Sequence, residues 1–446
     1  MIAGSHLVFK KVLFLLSLFI PLMANGATLI YDTETENLLR ELVLPLSRAA
    51  KIPDKHMQIH IINDTDFNAF VRGGQDIYVY TGLLIQIKTP SAFQAVIAHE
   101  LGHVLGGHIS QMSNRISAES ARTMLIQALG IGLMVAGGDP SLGAGVLAGS
   151  SGVAQQSMLA FTRDEERIAD NMGLSLMAES GTDVGGFVTV LEQMRDITGA
   201  AESRINPNRI NHPLTSERLN NIKTQISQLS DYSPPSAQET SRYNMEYELV
   251  RAKLIGYLEP VSRVFERYPY SDKSDSAIYA RAIVNMRTGN YSIAATGTQT
   301  LLKRQPKNAY FYELMGDIEY KTGNYESSIS AYEKSLSLLK SAPQIETALA
   351  LVLTARNNHG DMARAIELAK RSLLKSPAPL TYWVLARAYA DSDNGLQEWA
   401  FAEYYNMLGN TDLAHDYATR AQQKLPKTAP EYLKCSDILS IKPQKK

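Results

Sequence analysis

Two histidines and a glutamate share one short apolar stretch of this sequence. Residues 94–105 read Gln-Ala-Val-Ile-Ala-His-Glu-Leu-Gly-His-Val-Leu and contain no Pro, so they predict a buried helix. His99 and His103 are four residues apart, about 400° of helical rotation, so both project from one face and can share one metal ion. Glu100 lies beside them, where a carboxylate can take a proton from a water molecule. The pattern predicts a zinc peptidase site.

Two other interpretations of this motif remain open. Two His and one Glu can fall in register by chance, but they would then be polar groups in an apolar segment, where burial without partners costs several kcal/mol. A purely structural zinc site is the other interpretation, but a structural site has no use for a general base such as Glu100. Both are therefore weaker than the catalytic interpretation.

A catalytic zinc ion needs a third protein ligand, and two residues compete for this role. His108 is one, because Gly106 stands where the metzincin pattern has its glycine, but that pattern requires His at the position of Ile109. On a continuous helix, His108 would also point about 180° away from His99. We therefore predict Glu166 as the ligand and His108 as a structural or supporting residue.

Glu166 and Asp170 are four residues apart, so a helix would turn both carboxylates the same way. Asp170 can then accept a hydrogen bond from the outer N–H of a ligand histidine, which orients the imidazole and raises its basicity. The alternative is a solvated acidic helix face, which suits Asp164 and Glu165 better. The apolar and small residues at 168–173 favour the buried interpretation.

The elements around this motif predict an α+β domain, mostly helical with a small sheet, over residues 27–230. Apolar residues at helical spacing predict a helix over 34–50, and residues 57–62 and 76–80 predict strands. The glycine pair within 68–74, between the two strands, suits a hairpin or a bulge. We also expect a peptide to bind along an edge strand near 76–80.

The second half of the chain is repetitive. Gly289-Asn-Tyr recurs as Gly323-Asn-Tyr 34 residues later, and related turns follow at Gly360 and Gly409. A small residue stands five positions after each glycine (Ala294, Ser328, Ala365 and Ala414). This period predicts an all-α solenoid of tetratricopeptide repeats over 243–440, joined by a polar, Pro-containing linker at 231–242.

The N-terminus and the composition suggest an exported protein. Residues 1–26 contain two Lys, an apolar run and small residues, as in a secretory signal, with a retained anchor as the alternative. Their removal takes away two Lys and no acid, so the net charge changes from −1 to −3, which gives no reason to expect nucleic acid. Cys435 is the single cysteine of the 446 residues, so no internal disulfide can form.

The sequence resembles the M48 family of zinc peptidases, in the secreted bacterial branch that carries tetratricopeptide repeats. The resemblance rests on His-Glu-Leu-Gly-His, on residues 166–170 matching the family's E-x-x-A-D, on Asn68-Ala-Phe and Thr81-Gly-Leu-Leu, and on His212-Pro-Leu-Thr-Ser-Glu-Arg. Thr162 departs from the Ser that the family often has. The resemblance implies a zincin-type fold with one zinc ion on His99, His103 and Glu166.

The resemblance also suggests roles for two residues after the peptidase motif. His212 would approach the zinc as a removable fourth ligand or stabilise the oxyanion during turnover; a buried structural histidine is the alternative. Pro213 favours an extended loop at this position. Arg218 would position this loop or the substrate, although a surface ion pair would give the same pattern.

In that branch the partners are outer-membrane barrel proteins and their assembly machinery. We therefore expect a periplasmic zinc endopeptidase in quality control of outer-membrane proteins, with Glu100 as general base. The alternative is a chaperone or scaffold that binds through its repeats and cleaves rarely. The glycine-rich residues 130–149 predict closely packed helices, or else a mobile cover or a surface that touches the membrane.

Overall fold

The computed structural model describes residues 28–54, 57–72, 76–108, 163–200 and 216–441. The chain forms two compact units. The first unit comprises Leu38–Tyr247, and the second unit joins Met1–Asn37 to Glu248–Lys446. The domain limits expected at 230 and 243 stay a prediction. The expected linker at 231–242 is partly helical, because a helix begins at Ala237. Within the described ranges, no helix combines the length and the apolar character needed to cross a membrane.

The described residues contain four strands and eighteen helices. The strands are β1 (Leu29–Ile30), β2 (Gln58–Ile62), β3 (Ala69–Arg72) and β4 (Asp76–Tyr80). The first helices are α1 (Thr33–Ala49), α2 (Thr81–Gln86), α3 (Pro90–Leu105), α4 (Arg163–Glu179), α5 (Gly185–Ala200) and α6 (Ser216–Ser227). The later helices are α7 (Ala237–Leu258), α8 (Val261–Arg267), α9 (Asp275–Arg287), α10 (Tyr291–Arg304), α11 (Ala309–Lys321), α12 (Tyr325–Ser337), α13 (Pro343–Arg356), α14 (Asp361–Leu373), α15 (Pro379–Ala388), α16 (Asn394–Met407), α17 (Thr411–Lys424) and α18 (Pro430–Ser440).

Strands β2, β3 and β4 of the Leu38–Tyr247 unit confirm the α+β prediction and correct one detail. Strand β4 pairs in parallel with β2 and antiparallel with β3, so β4 is an interior strand and β3 lies at the edge. The expectation that 76–80 forms the edge is therefore wrong. The reason is that residues 69–72, expected as part of a hairpin or bulge, form a strand that pairs along β4.

Helix α3 is a largely buried helix of the first unit. Thr89 caps its N-terminus by accepting a hydrogen bond from the amide of Ala92, and Pro90 occupies the first turn, where its missing N–H is not needed. The apolar residues from Ala92 to Leu101 are almost fully buried, except Val96, which is partly exposed. Burial of most of its residues leaves α3 little freedom to rotate, so the side chains in its motif have fixed directions.

The second unit is built from antiparallel helix pairs. Helices α9, α11 and α13 start 34 residues apart, at Asp275, Ala309 and Pro343. The glycine of each turn has a positive φ, between 70° and 85°, which L side chains rarely adopt. The small residue five positions later is completely buried in all four turns (Ala294, Ser328, Ala365 and Ala414). Small residues therefore let the paired helices approach closely, as the repeat pattern predicts.

A charged cluster is buried within this second unit. The ammonium of Lys253 lies 2.6 Å from a carboxylate oxygen of Asp32, 3.0 Å from one of Glu313 and 3.3 Å from one of Glu34. These four residues, all buried, are named the Lys253 cluster. Tyr279 donates a hydrogen bond of 2.8 Å to Glu34.

Burial dominates the acid-base behaviour of the Lys253 cluster. Desolvation raises the pKa of Glu34 to about 7 and that of Glu313 to about 8, although the charge of Lys253 opposes both shifts. Burial also lowers the pKa of Lys253, but the neighbouring carboxylates, Asp32 first, outweigh it and raise that pKa overall. The cluster therefore retains protons that the same carboxyl groups would release in water.

Candidate metal centre

His99 and His103 form the first half of the site. Both lie on α3, both are buried, and their Nε2 atoms are 3.1 Å apart. The two rings meet edge to face, at an interplanar angle of 85°. Because two N–H groups cannot point at each other at this distance, at least one of these Nε2 atoms presents a lone pair.

Glu166 of α4 completes a set of three candidate ligands. Its Oε1 atom lies 3.4 Å from Nε2 of His103, and its Oε2 atom lies 3.5 Å from Nε2 of His99. Within the described residues, these three form the group of His, Cys, Asp and Glu side chains whose donor atoms converge closely enough for a metal ion. The structure thus brings together the ligands expected from the sequence.

The spacing of the donors fits zinc. In a tetrahedral site with bonds of about 2.0–2.1 Å, ligand atoms stand about 3.3 Å from one another. The two Nε2 atoms here are 3.1 Å apart, and the Glu166 carboxylate places Oε1 3.4 Å from Nε2 of His103 and Oε2 3.5 Å from Nε2 of His99. Two imidazoles and one carboxylate are also a donor set that catalytic zinc uses. The residues therefore fit the metal without rearrangement of the backbone.

Small residues at the crossing of α3 and α4 make this convergence possible. A Cβ atom on Gly102 would lie 2.4 Å from the carbonyl oxygen of Ala169, and one on Gly173 would lie 2.9 Å from the carbonyl oxygen of Ala98. The two backbones are in direct contact at both points. This role was not predicted from the sequence, although small residues spaced by four on both helices are a recognisable signal for close helix packing.

Asp170 and Arg218 contact the candidate ligands His99 and Glu166. Nδ1 of His99 lies 2.8 Å from Oδ1 of Asp170, as expected for a carboxylate that orients a ligand histidine. Arg218 of α6 donates two hydrogen bonds to Asp170, of 2.7 and 2.8 Å, and its Nη1 lies 2.6 Å from Oε2 of Glu166. One guanidinium therefore holds two carboxylates. Sequence reasoning identified Arg218 but not these partners.

The electrostatics of this group follow from its hydrogen bonds. Burial raises the pKa of Asp170, but hydrogen bonds from His99 and Arg218 outweigh it, so the pKa lies below its usual value. Burial lowers the pKa of Arg218, and the charges around it, Asp170 first and then Glu166 and Glu100, raise it overall. Asp170 is therefore ionised and Arg218 charged across the physiological pH range.

Glu100 follows His99 on α3 and is buried with it. Its charge is close enough to contribute to the raised pKa of Arg218. His108 is buried next to His103 but does not belong to the converging ligand set. His212 and the glycine-rich residues 130–149 lie outside the described residues, so their expected roles stay predictions.

Residues 33–226 match the protein-family model described as Peptidase family M48. This range includes all the site residues named above, from the His-Glu-Leu-Gly-His motif on α3 to Arg218 on α6. The match agrees with the site that the geometry outlines.

Curated relatives extend the similarity beyond the peptidase domain. The chain is 25% identical over 435 residues to the beta-barrel assembly-enhancing protease of Escherichia coli K12, covering 95% of this chain and 86% of that protein. It is 23% identical to the protein of the same name from Yersinia pestis, covering 90% and 81%. Metalloprotease LoiP of E. coli K12 is 29% identical over 170 residues, covering 36% of this chain and 60% of LoiP.

Proposed function

We propose that this chain, whose residues 33–226 match the model of Peptidase family M48, is a zinc-dependent endopeptidase of the bacterial periplasm. It acts in the assembly and quality control of outer-membrane barrel proteins. The location rests on the secretory signal expected at residues 1–26, and the biological role rests on homology along nearly the whole chain to the beta-barrel assembly-enhancing proteases.

The convergence of His99, His103 and Glu166 beside Glu100 carries the proposal. The two Nε2 atoms and the Glu166 carboxylate lie at separations close to those between ligands of a tetrahedral zinc ion, Asp170 contacts Nδ1 of His99, and Arg218 contacts Glu166. Three protein ligands leave one position open for water and substrate, which separates a catalytic zinc site from a structural one.

Each residue of the site has a distinct task in peptide hydrolysis. Bound zinc would lower the pKa of water and polarise the peptide carbonyl. Glu100 accepts the proton of the attacking water and later delivers it to the leaving amine. Asp170 keeps the Nδ1 proton on His99, so that Nε2 stays a lone-pair donor. Arg218 keeps the carboxylates of Glu166 and Asp170 in place.

The edge strand β3 provides a place for the substrate backbone. Among the described strands, β4 alone pairs with β3 and covers one side of it, so the other side of Ala69–Arg72 can add an extended peptide as a further strand. Main-chain hydrogen bonds of this kind do not depend on the side chains of the peptide. Selection among substrates must then come largely from elsewhere.

We assign this selection to the helical repeats. A curved array of helix pairs presents an extended surface to a partner, and the repeats occupy about as much of the chain as the peptidase domain. His212 is proposed as a removable fourth ligand or as an oxyanion stabiliser, since a weakly selective site needs control over when it acts. The proposed partners are unfolded or stalled barrel proteins and their assembly machinery.

Glu100→Gln tests the enzymatic part of the proposal. The variant should bind zinc as the wild type does and cleave an unfolded outer-membrane barrel protein about 10²–10⁴ times more slowly. Glu179→Gln is a matched control, because Glu179 is exposed in the same domain. Zinc content by elemental analysis and cleavage by gel would be measured together. Unchanged cleavage by Glu100→Gln would sink the proposed mechanism.

The same variant separates the peptidase from a scaffold. Glu100→Gln should fail to restore outer-membrane protein assembly in cells that lack this protein, and crosslinking should trap barrel proteins or assembly components on it. Full restoration of assembly by Glu100→Gln would instead favour a chaperone or scaffold role. Trapping of soluble periplasmic proteins alone would contradict the assignment to barrel assembly.

A further inference from the structure

His103 contacts a second histidine, His108, that does not belong to the candidate ligand set. Nδ1 of His103 lies 3.0 Å from Nδ1 of His108, and the two rings meet at 71° with centroids 5.2 Å apart. Both side chains are almost fully buried, at 1% and 2% exposure. A buried histidine in hydrogen-bond contact with a metal ligand therefore stands on the opposite side of that ligand from the metal position.

The backbone turns after α3, and this turn places the imidazole of His108 next to His103. The helix ends at Leu105, and Gly107 adopts a φ of 70°, which turns the chain. A Cβ atom on Gly106 would lie 2.6 Å from Nε2 of His108, so a larger residue at position 106 would displace the ring from its present position. On a continued helix His108 would have faced away from the site, and the two glycines reverse that outcome.

Hydrogen-bond chemistry assigns the proton in this contact. Nε2 of His103 faces Nε2 of His99 and Oε1 of Glu166, so it is the atom that would bind the metal. A neutral imidazole with its Nε2 lone pair on a metal carries its proton on Nδ1. That N–H can be donated to His108 only if Nδ1 of His108 accepts, which places the proton of His108 on its own Nε2.

We propose that His108 is a positioning residue that fixes the tautomer and orientation of His103, as Asp170 does for His99. The proposal rests on the metal-binding part of the proposed function and not on the identity of the substrate. The two ligand histidines then have unequal support. His99 donates to a carboxylate, and His103 donates to a neutral imidazole, which is the weaker acceptor.

Zinc affinity tests this role without any measurement of cleavage. His108→Phe keeps an aromatic ring but removes the acceptor, and it should weaken zinc binding about 10–100-fold. His108→Asn places a carbonyl oxygen near the former Nδ1 atom, so it should bind zinc within about threefold of wild type by the same logic. Zinc dissociation constants would be measured by competition with a chromogenic chelator, in the Glu100→Gln background.

Controls separate this role from packing and from failure of the proposed function. His359→Phe, at an exposed histidine of the second unit, should leave zinc affinity unchanged. Wild-type zinc affinity in His108→Phe would overturn the proposal, and an equal loss in Phe and Asn variants would indicate packing instead. If the unsubstituted chain binds no zinc, the proposed function itself fails.

The tautomers provide a second measurement that does not depend on how the variants fold. Long-range ¹⁵N–¹H correlation spectra of the zinc-loaded full chain should show the proton of His103 on Nδ1 and that of His108 on Nε2. A proton on Nδ1 of His108 would make both facing atoms donors and would overturn the proposal.

Discussion

Each compact unit buries carboxylates around one basic side chain, and the pKa of Asp170 in one group shifts in the opposite direction from the pKa values of Glu34 and Glu313 in the other. In the metal centre, the pKa of Asp170 is lowered. In the Lys253 cluster, the pKa values of Glu34 and Glu313 are raised to about 7 and about 8. Burial disfavours the charged form in both places. The difference lies in what compensates for it.

The planar guanidinium of Arg218 explains the lowered pKa of Asp170. It donates two hydrogen bonds to Asp170 while it contacts Glu166, and His99 adds a third donor to Asp170. The ammonium of Lys253 is a point charge shared among three carboxylates. A guanidinium that matches the carboxylate geometry therefore lowers the pKa of Asp170. An ammonium shared among three carboxylates leaves the pKa values of Glu34 and Glu313 raised.

Charge alone does not decide which cluster can bind a metal. Glu100, Glu166 and Asp170 against Arg218 leave a formal charge of −2, and the three acids of the Lys253 cluster leave the same. A divalent cation would balance the first. Protons balance the second, because it offers no imidazole lone pairs and Tyr279 donates a hydrogen bond into it. The chemistry of the neighbouring donors makes the distinction.

Lys253→Met should cause the largest change in the free energy of unfolding. Removal of one partner from a buried ionic group costs about 3–5 kcal/mol, so the free energy of unfolding of the repeats should fall by that amount near neutral pH. Trp fluorescence during urea denaturation would measure it, because Trp383 and Trp399 are the only two Trp of the chain and both lie in this unit. Lys307→Met, at an exposed position, is the control. Equal stability of the two variants would contradict the prediction.

The pH dependence of stability should differ in sign between the units. For Glu34 the folded-state pKa of about 7 exceeds the ordinary 4.5, so its contribution is full below pH 4.5 and is lost as the pH rises to about 7. The loss is about 3 kcal/mol for this group, and Glu313 extends the window to about pH 8. The Trp-monitored free energy of unfolding should fall across this range.

Asp170 should act in the opposite direction. Its folded-state pKa lies below the ordinary 3.8, so its contribution is present above that pH and is lost as the pH falls further. Glu313→Gln should flatten the upper part of the Trp-monitored curve, and Asp170→Asn should leave that part unchanged. A slope between pH 4.5 and 8 that is as steep in Glu313→Gln and in Glu34→Gln as in the unsubstituted chain would refute this account.

One helical glycine in each unit allows the packing around the two helices to be compared. Gly102→Ala should cost up to about 3 kcal/mol and weaken zinc binding, because its Cβ would lie 2.4 Å from the backbone of Ala169. Gly297→Ala in α10 should stabilise by about 0.5–1 kcal/mol, since its Cβ would stand 3.4 Å from Ala282. Thermal unfolding with zinc titration would measure both, and destabilisation of equal size at the two sites would count against the explanation.

Arg218→Lys should have a mild effect on the metal centre, because it retains the charge and loses only the forked geometry. A lysine cannot contact Glu166 and Asp170 as the guanidinium does, so zinc affinity should fall by about tenfold, at the lower end of the range for residues that support ligands. Arg167→Lys on the exposed face of α4 is the matched control. An unchanged zinc dissociation constant for Arg218→Lys would show that charge alone suffices.

Local patterns in the sequence predicted much of the site and of the second unit. The spacing of His99 and His103, and that of Glu166 and Asp170, are properties of single helices, so periodicity alone indicates which side chains face the same way. The 34-residue period likewise predicts helix pairs, and small residues at fixed positions predict their close contact. Interior and edge strands were less predictable, because pairing of β3 with β4 depends on partners outside each strand.

The sequence by itself determined the kind of chemistry: two imidazoles, a general base and a third carboxylate at spacings that a helix turns into faces. Only the tertiary structure decided the distances and the supports. The approach of α3 and α4 at Gly102, the two carboxylates on Arg218, and the return of His108 through Gly106 all join atoms whose separation depends on packing between elements. Helical geometry repeats over a few residues and can be read locally, whereas contacts between helices depend on side-chain volumes contributed by distant parts of the chain.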